Sequence, residues 1–539
     1  MSFRLGLGSG FGLGGGSRVA AALQYLFNGT KVDTIGPMGE AGAGVGIASD
    51  GYAALGFAAL SGHSDPSSDN YGNYQYLDGS IMCWVPVFFY KVGTGSNGLA
   101  VNVVDIKGAE TYSTTAEANA SGYALHRAFI DGGAEKVGFF IDKYMASKNA
   151  LGAGFVASSI AGGLPISMHP DHNPIADLTA CSANAYYEAI NAAHARDGVD
   201  GAVNASSRFH VSSRFQWAAV ALLSLAHGQA ATSTTYCAWY DAGGTTNYPK
   251  GCNDDALGDT NDAEVAYVSD GYSNSAKTGS GTPFAKTTHN GQACGIADVN
   301  GLMYDLNLGI TCVASSVSIT AASQANPCQI TAAGHGLSTG DPVMITDVGG
   351  MTEINDKIFT ITAIDADNFT LDGVDSSAFT AYTSGGSATV GTFYAAKQAT
   401  AMKEFTDGNS AATDHWGATG VAAMMDAFEP AFEIAYPNNG FSQRMGDGAG
   451  QVLSEATTGG DWLLTGLGLP KDADGLSAAG TNLFGTDRLF QNIQNELFLR
   501  SSLNWLFGSL AGVWGLHLDH PRTNSNTSVG FRAACYLGG

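Results

Sequence analysis

The spacing of apolar positions changes along the chain, and each change predicts a different element. Residues 18–28 (Arg-Val-Ala-Ala-Ala-Leu-Gln-Tyr-Leu-Phe-Asn) predict a short helix ended by Asn28-Gly29. Residues 31–80 are polar and rich in Gly, Ser and Asp, which predicts a small loop-rich or β attachment region. Ile81–Lys91 is apolar, aromatic and β-branched and reads as a strand, and Lys136–Tyr144 reads as a second. Helical spacing begins at Thr179, with Ala183, Tyr187, Ile190 and His194 on one face. A Ser-x-x-Gln capping box, Ser213 to Gln216, then opens a strongly apolar core helix that Gly228 stops. Residues 229–291 are a long polar stretch, and loops of that length are functional or disordered. A glycine-punctuated turn then leads to a short strand before Ile310.

At about Ser315 the pattern becomes short alternating Ile/Val/Thr/Phe runs roughly ten residues apart, separated by turns. Residues 315–390 therefore predict a small all-β barrel or sandwich inserted into a surface loop, since the earlier style resumes at Gly391. His335, in a turn of this module, reads as a histidine bonded to local backbone.

The C-terminus carries a different pattern. Trp505, Gly508, Ala511-Gly512-Val513, Leu516, Leu518, Arg522 and Val529-Gly530-Phe531-Arg532 form a frame. Unrelated side chains sit between them: Leu506, Phe507, Leu510, His517, Asp519 and His520. In Leu516-His517-Leu518-Asp519 the period of two sends the leucines inward and the polar residues outward. A scaffold with an arbitrary-looking projecting set is what a ligand-reading face looks like.

Composition narrows the function. At 539 residues the chain exceeds one ordinary domain, and 45% hydrophobic residues supply sizeable cores. Only 13% are charged, about half the usual share, so turns and loops dominate over long surface helices. The net charge of −24 and the absence of any Lys/Arg cluster exclude a nucleic-acid partner and disfavour an anionic membrane. The glycine-interrupted N-terminus lacks the continuous apolar stretch of a signal peptide. Its spaced Phe3, Leu5, Leu7, Phe11 and Leu13 suit either docking on a partner or disorder. Eight scattered cysteines make no CxxC pair and read as buried small hydrophobes.

Metal chemistry finds weak candidates. Met168-His169-Pro-Asp-His172 has metal-like spacing, but its proline makes a loop without a third ligand. Asp254, Asp255, Asp259, Asp262 and Glu264 could hold Ca2+ through oxygen ligands, although their spacing is not that of an EF-hand and a solvated acidic loop fits as well. His517 and His520 could bind zinc; on a projecting face they are expected to contact a ligand instead. No cofactor or resident metal is assigned.

The C-terminal block resembles the variable proteins of diversity-generating retroelements. The residues that carry the resemblance are Gly466–Pro470, Phe484–Asn492, Arg500, Trp505, Gly508, Ala511–Trp514, Leu516, Leu518, Arg522–Thr527 and Val529–Ala534. Spacing from Trp505 through Arg532 fits that family without a gap, and one extra residue lies between Arg500 and Trp505. Met82–Lys91, Val137–Tyr144, Tyr186-Tyr187, Arg214–Ala219 and Asp298–Tyr304 are similar to the same fold, so the resemblance covers about 81–310 and 391–537. The module resembles small β modules of phage tail and fibre proteins through Thr331–Val343, Val348–Asn355 and Phe369–Leu371.

The resemblance implies an α+β fold: a C-type-lectin-like domain of the formylglycine-generating-enzyme type. The division is 1–80 for attachment, 81–314 and 391–539 for the lectin-like domain, and 315–390 for the inserted β module, with a variable region of about 500–534. It implies that Leu506, Phe507, Leu510, His517, Asp519 and His520 are diversified, with Ser509 and Gly515 as further candidates, and that Trp514 is a fixed aromatic wall. It implies a non-enzymatic homotrimer at a phage tail-fibre tip in the virion. There it would bind a bacterial surface protein or glycan and attach to other tail-fibre or baseplate proteins through its N-terminal region. The alternatives are a bacterial retroelement-encoded display protein and an oxidase. The oxidase needs a cysteine pair or an iron-binding histidine set, and Cys535 stands alone.

Overall fold

A computed structural model of the chain describes residues 31–272, 274–406, 420–430, 453–471 and 487–537, with strand backbone at 26–27, 30, 442–445 and 476–477. The expectation for the Gly-rich residues 1–17 and most of the predicted helix over 18–28 lie outside those residues. The end of that helix, Leu26–Phe27, is instead strand, paired with Thr30–Lys31.

The protein is a strand-rich mixture of α and β on several sheets. Its principal elements begin with strands β1 (Ala58–Ala59), β2 (Asn73–Gln75), β3 (Ile81–Pro86) and β4 (Gly138–Asp142). Helix α1 (Glu188–His194), strand β5 (His210–Val211) and helix α2 (Arg214–Ala230) follow. Next come β6 (Tyr304–Asn307), β7 (Ile310–Ser318), β8 (Ser387–Ala396) and helix α3 (Gly459–Leu467). The chain closes with β9 (Arg488–Gln491), β10 (Leu497–Ser501), β11 (Leu516–Pro521), β12 (Val529–Phe531) and β13 (Ala533–Tyr536). Among the described residues no helix is long and apolar enough to cross a membrane.

One sheet has the order β5-β13-β4-β3-β2-β1. β3 and β4 are continuous apolar runs because both of their faces are buried. The predicted strand over 81–91 is two strands. Past Pro86 the chain leaves this sheet, and Phe88–Val92 pairs with Val104–Gly108 in another. Residues 31–80 are not structurally separate from the main body. They supply two strands of this sheet, and Val32, Ile35, Val45, Phe57, Tyr71 and Tyr74 belong to the main core. Tyr74 ties the segment down, its hydroxyl accepting from Ala48 N at 2.9 Å.

The helix predicted from Thr179 is shorter than its spacing suggests, starting only at Glu188. The Glu188 carboxylate accepts from Ser182 N at 2.9 Å, Ser182 Oγ at 2.8 Å and Ala183 N at 3.0 Å. Those bonds hold the preceding turn as a loop, so Ala183 lies off the helix that carries Ile190 and His194. The capping box of α2 forms as predicted: Gln216 N donates to Ser213 Oγ and Ser213 N to Gln216 Oε1. The helix runs two residues past Gly228, to Ala230, and is buried on nearly all sides. The described residues of the polar stretch over 229–291 pack onto the body of the protein. Cys252, Val265 and Tyr267 are buried in a small cluster with Leu302, Met303 and Trp505.

The inserted module has its own core, including Ile319, Cys328, Ile330, Val343, Ile345, Phe359, Phe369 and Leu371. β7 and β8 form an unbroken antiparallel stem from Ile310↔Ala395 to Ser318↔Ser387. The stem starts in the main core, through Ile310, Cys312, Phe393 and Ala395, and ends in the module. His335 is held by backbone, accepting from Leu337 N at 3.0 Å and bonding Asp365 O at 2.8 Å.

Buried arginines lock the C-terminus to the rest. Arg532 is fully buried; its Nε donates to Asp305 Oδ2 at 2.5 Å, and its terminal nitrogens to Lys143 O at 2.9 Å and Asp298 O at 3.0 Å. Removing one partner of a buried pair strands the other charge, at a cost of about 3–5 kcal/mol. Arg532→Ala is therefore expected to lose about that much unfolding free energy in urea melts, whereas substitution of the partly exposed Lys107, paired with Asp105, changes it by less than about 1 kcal/mol.

Candidate functional site

A second sheet, with β9-β11-β10-β6-β12 in that order, carries the stretch from Arg500 to Arg532. β11 lies between β9, to which it is parallel, and β10, to which it is antiparallel. The turn ahead of β11 is held from several directions. Asn504 caps it, its side chain accepting from Leu506 N at 3.2 Å and donating to Ser528 Oγ at 2.6 Å. Trp505 is buried, and its carbonyl accepts from Asp255 N at 2.8 Å. Trp217 Nε1 of α2 donates to Val513 O at 2.8 Å.

Two frame glycines have a steric reason. Gly508 has φ +51°, and a Cβ there would fall 1.9 Å from Asp254 Oδ1. A Cβ at Gly512 would fall 1.9 and 2.1 Å from the Asp487 carboxylate oxygens. Asp487 accepts from Trp514 N at 2.9 Å. Between Arg500 and Trp505 the chain turns where Ser502 and Leu503 adopt φ +77° and +56°. A bulky residue in that region costs on the order of 1–3 kcal/mol, and such conformations persist where the surroundings enforce them. Here Leu503 is fully buried.

The projecting residues fall in several environments. Leu506 is 58% exposed, and Ser509 is exposed. Phe507, Leu510, Asp519 and His520 are partly buried. Trp514 is not a wall of the face: it is buried in the main core beside Gly468. His517 is not solvent-facing. Alternation does carry it to the side opposite Leu516 and Leu518, but aromatic rings roof that side. His517 stacks on Phe490 at 4.1 Å and meets Tyr304 and Phe507 edge-on at 4.9 and 5.3 Å. Gly515 is buried.

His517, Asp519, His520 and Arg500 converge on one point. Asp519 Oδ1 is 3.1 Å from His517 Nδ1 and 2.6 Å from His520 Nδ1. Arg500 Nη2 is 3.3 Å from that oxygen, and its guanidinium lies 4.4 Å above the Tyr304 ring. Tyr304 Oη is 3.3 Å from His517 Nε2. Burial pushes the His517 imidazole down to about 4, which leaves the ring neutral at pH 7. Burial alone would raise the Asp519 carboxyl; the two histidines bonded to it outweigh that and hold it well below the usual carboxylate range. Arg500, Tyr304 and Phe490 were not read from the sequence as site residues. The only local signal was that Arg500 alternates along β10; Tyr304 lies 213 residues from His517.

The other candidate ligands have protein partners. His172 is buried, with Nε2 2.6 Å from Asp270 Oδ2 and Nδ1 3.0 Å from Thr527 O, while His169 stays in the loop. Asp259 accepts from Gly251 N, Asn253 Nδ2 and Asn261 N. Asp262 and Glu264 pair with Lys286, and Asp255 accepts from Asn274. With Asp254 against Gly508, this acidic set does not converge on one point. All eight cysteines are unpaired, and seven are buried.

Residues 328–390 match the family described as the ubiquitin-activating enzyme E1 FCCH domain. The match lies within the β module and describes that part alone. No curated protein matches the chain.

Burial pushes the Asp487 carboxyl up to about 8, against the lowering effect of the backbone N–H groups of Trp514 and Gly515. The folded state thus favours the protonated form, and stability falls as pH rises from about 3.8 through about 8. Asp487→Asn keeps the acceptor and removes the charge. It is expected to melt higher than the native protein at pH 8.5 and at the same temperature at pH 3.5, as followed by circular dichroism.

Proposed function

We propose that this chain is the receptor-binding protein at the tip of a phage tail fibre, with a C-type-lectin-type domain that displays a diversified face to a bacterial surface molecule. The observation that carries the reading is the split within residues 505–532. The frame side chains Trp505, Ala511, Val513, Leu516, Leu518, Arg522 and Phe531 are 0–4% exposed, whereas Leu506 is 58% exposed and Phe507, Leu510, Asp519 and His520 are partly exposed; His517, at 3%, is the exception. Leu506, Ser509 and His520 can change without leaving a cavity in the core. A face rewritten one codon at a time needs that separation.

The protein is read as a virion component with no catalytic role. Its apolar Leu506, Phe507 and Leu510 favour a partly hydrophobic or aromatic patch on a surface protein or glycan. Copies in a homotrimer would act together, so modest single contacts suffice. The N-terminal region would attach to other tail-fibre or baseplate proteins, and the β module would widen the tip or add a second contact.

The test is adsorption of particles, or of the isolated protein, to host cells. The combined variant Leu506→Asp, Phe507→Ala, Leu510→Ala is expected to adsorb at least tenfold less, and Leu506→Asp alone, at an exposed side chain, to adsorb less at an unchanged melting temperature. Unchanged adsorption would defeat the reading.

A further inference from the structure

We propose that His517, Asp519 and His520 form a site for one divalent transition-metal ion of the Zn2+ class. Its three ligands belong to the proposed ligand face, but metal uptake is read without any receptor, so failure of the site and failure of that reading are distinguishable. One ring nitrogen of each histidine and one carboxylate oxygen lie within 4.8 Å of one another; among the described residues, no other His, Cys, Asp and Glu side chains form such a group of three. Donors about 2.0–2.1 Å from a tetrahedral ion stand about 3.3–3.4 Å apart. The separations of 3.1 and 2.6 Å from Asp519 Oδ1 are both shorter than such edges, so an ion would have to open them, by about 0.7 Å at His520. Two imidazoles with one carboxylate suit zinc, copper or nickel rather than calcium or magnesium.

Protons alone do not satisfy this cluster. Arg500 Nη2 is 3.1 Å from His517 Nδ1 and 2.5 Å from His520 Nδ1. If His520 Nδ1 carries a proton, it donates well to Asp519 but confronts the Arg500 N–H groups donor to donor. If it carries none, it accepts from Arg500 but sets its lone pair against a carboxylate oxygen 2.6 Å away. An ion removes both conflicts, because all three atoms then direct lone pairs at one centre. Arg500 Nη2 marks that centre: the guanidinium is the cation that the three donors now hold. Its Nε has no hydrogen-bond partner among the described residues.

The surroundings suit such a site. The Tyr304 hydroxyl, 3.3 Å from Nε2, can accept its N–H and leaves Nδ1 toward the centre, the role that outer groups play for metal-bound histidines. His520 is 34% exposed in its side chain, which gives an ion a way in. Three protein ligands leave a fourth position for water or for a donor atom of an external ligand.

The experiment titrates Zn2+ alone into the untagged, chelator-stripped full chain, with Co2+ absorption reporting coordination. We expect one ion per chain and the visible bands of four-coordinate Co2+. Binding is expected to be at least tenfold weaker in His520→Ala, which alters a partly exposed side chain and spares the core. It is expected to be at least tenfold tighter in Arg500→Met, which removes the competing cation. No uptake by the native chain, or equal affinity in His520→Ala, overturns the site. Equal affinity in Arg500→Met overturns the claim that the guanidinium holds its centre.

Discussion

The fold depends on burying guanidinium groups among backbone carbonyls. A glycine-rich, loop-rich chain leaves many carbonyls without sheet or helix partners, and buried ones must be satisfied. Arginine offers five donors in a fixed fork. Arg127 donates to the carbonyls of Ile130, Ala396 and Lys397, Arg214 to Leu467 O and Ser501 Oγ, and Arg532 to Lys143 O and Asp298 O. Apart from Ile130, three residues from Arg127, each of these partners lies more than two hundred residues from its arginine. A chain with few charges places several of them where irregular backbone has to be joined.

The face at the C-terminus follows from that arrangement. Arg214 and Trp217 on α2 reach Ser501 and Val513, and the long polar loop reaches Trp505 and Gly508. The turn carrying Leu506, Phe507 and Leu510 is thereby held by contacts that do not involve those side chains. The module is connected differently. Its stem shares strands with the main body, but its core is separate, so changes in the module need not be felt at the face.

Much of the local structure was legible. The Ser213–Gln216 box, the strand pair at 81–86 and 138–142, and the alternating module each rest on contacts between near neighbours or on one repeated period. The failures share a cause. Glu188 diverts the backbone donors of Ser182 and Ala183, and spacing alone does not report that competition. His517 obeys the period of two but lies under Phe490, Tyr304 and Phe507, which come from other elements. Residues 31–80 look too polar for a core, yet their few aromatics complete a sheet built mostly from later residues.

By itself, the sequence determined that Trp505, Leu516, Leu518 and Phe531 are buried frame positions, that the module is built of short alternating strands, and where helix α2 starts. Those features depend on residue size, alternation and short-range hydrogen bonds. Only the tertiary structure decided that Trp514 belongs to the core, that Arg500 and Tyr304 join the histidines, and that the long polar loop supports the turn. Each of those outcomes is a contact between segments far apart in the chain. Strand order in a sheet sets such contacts, and no local pattern encodes that order.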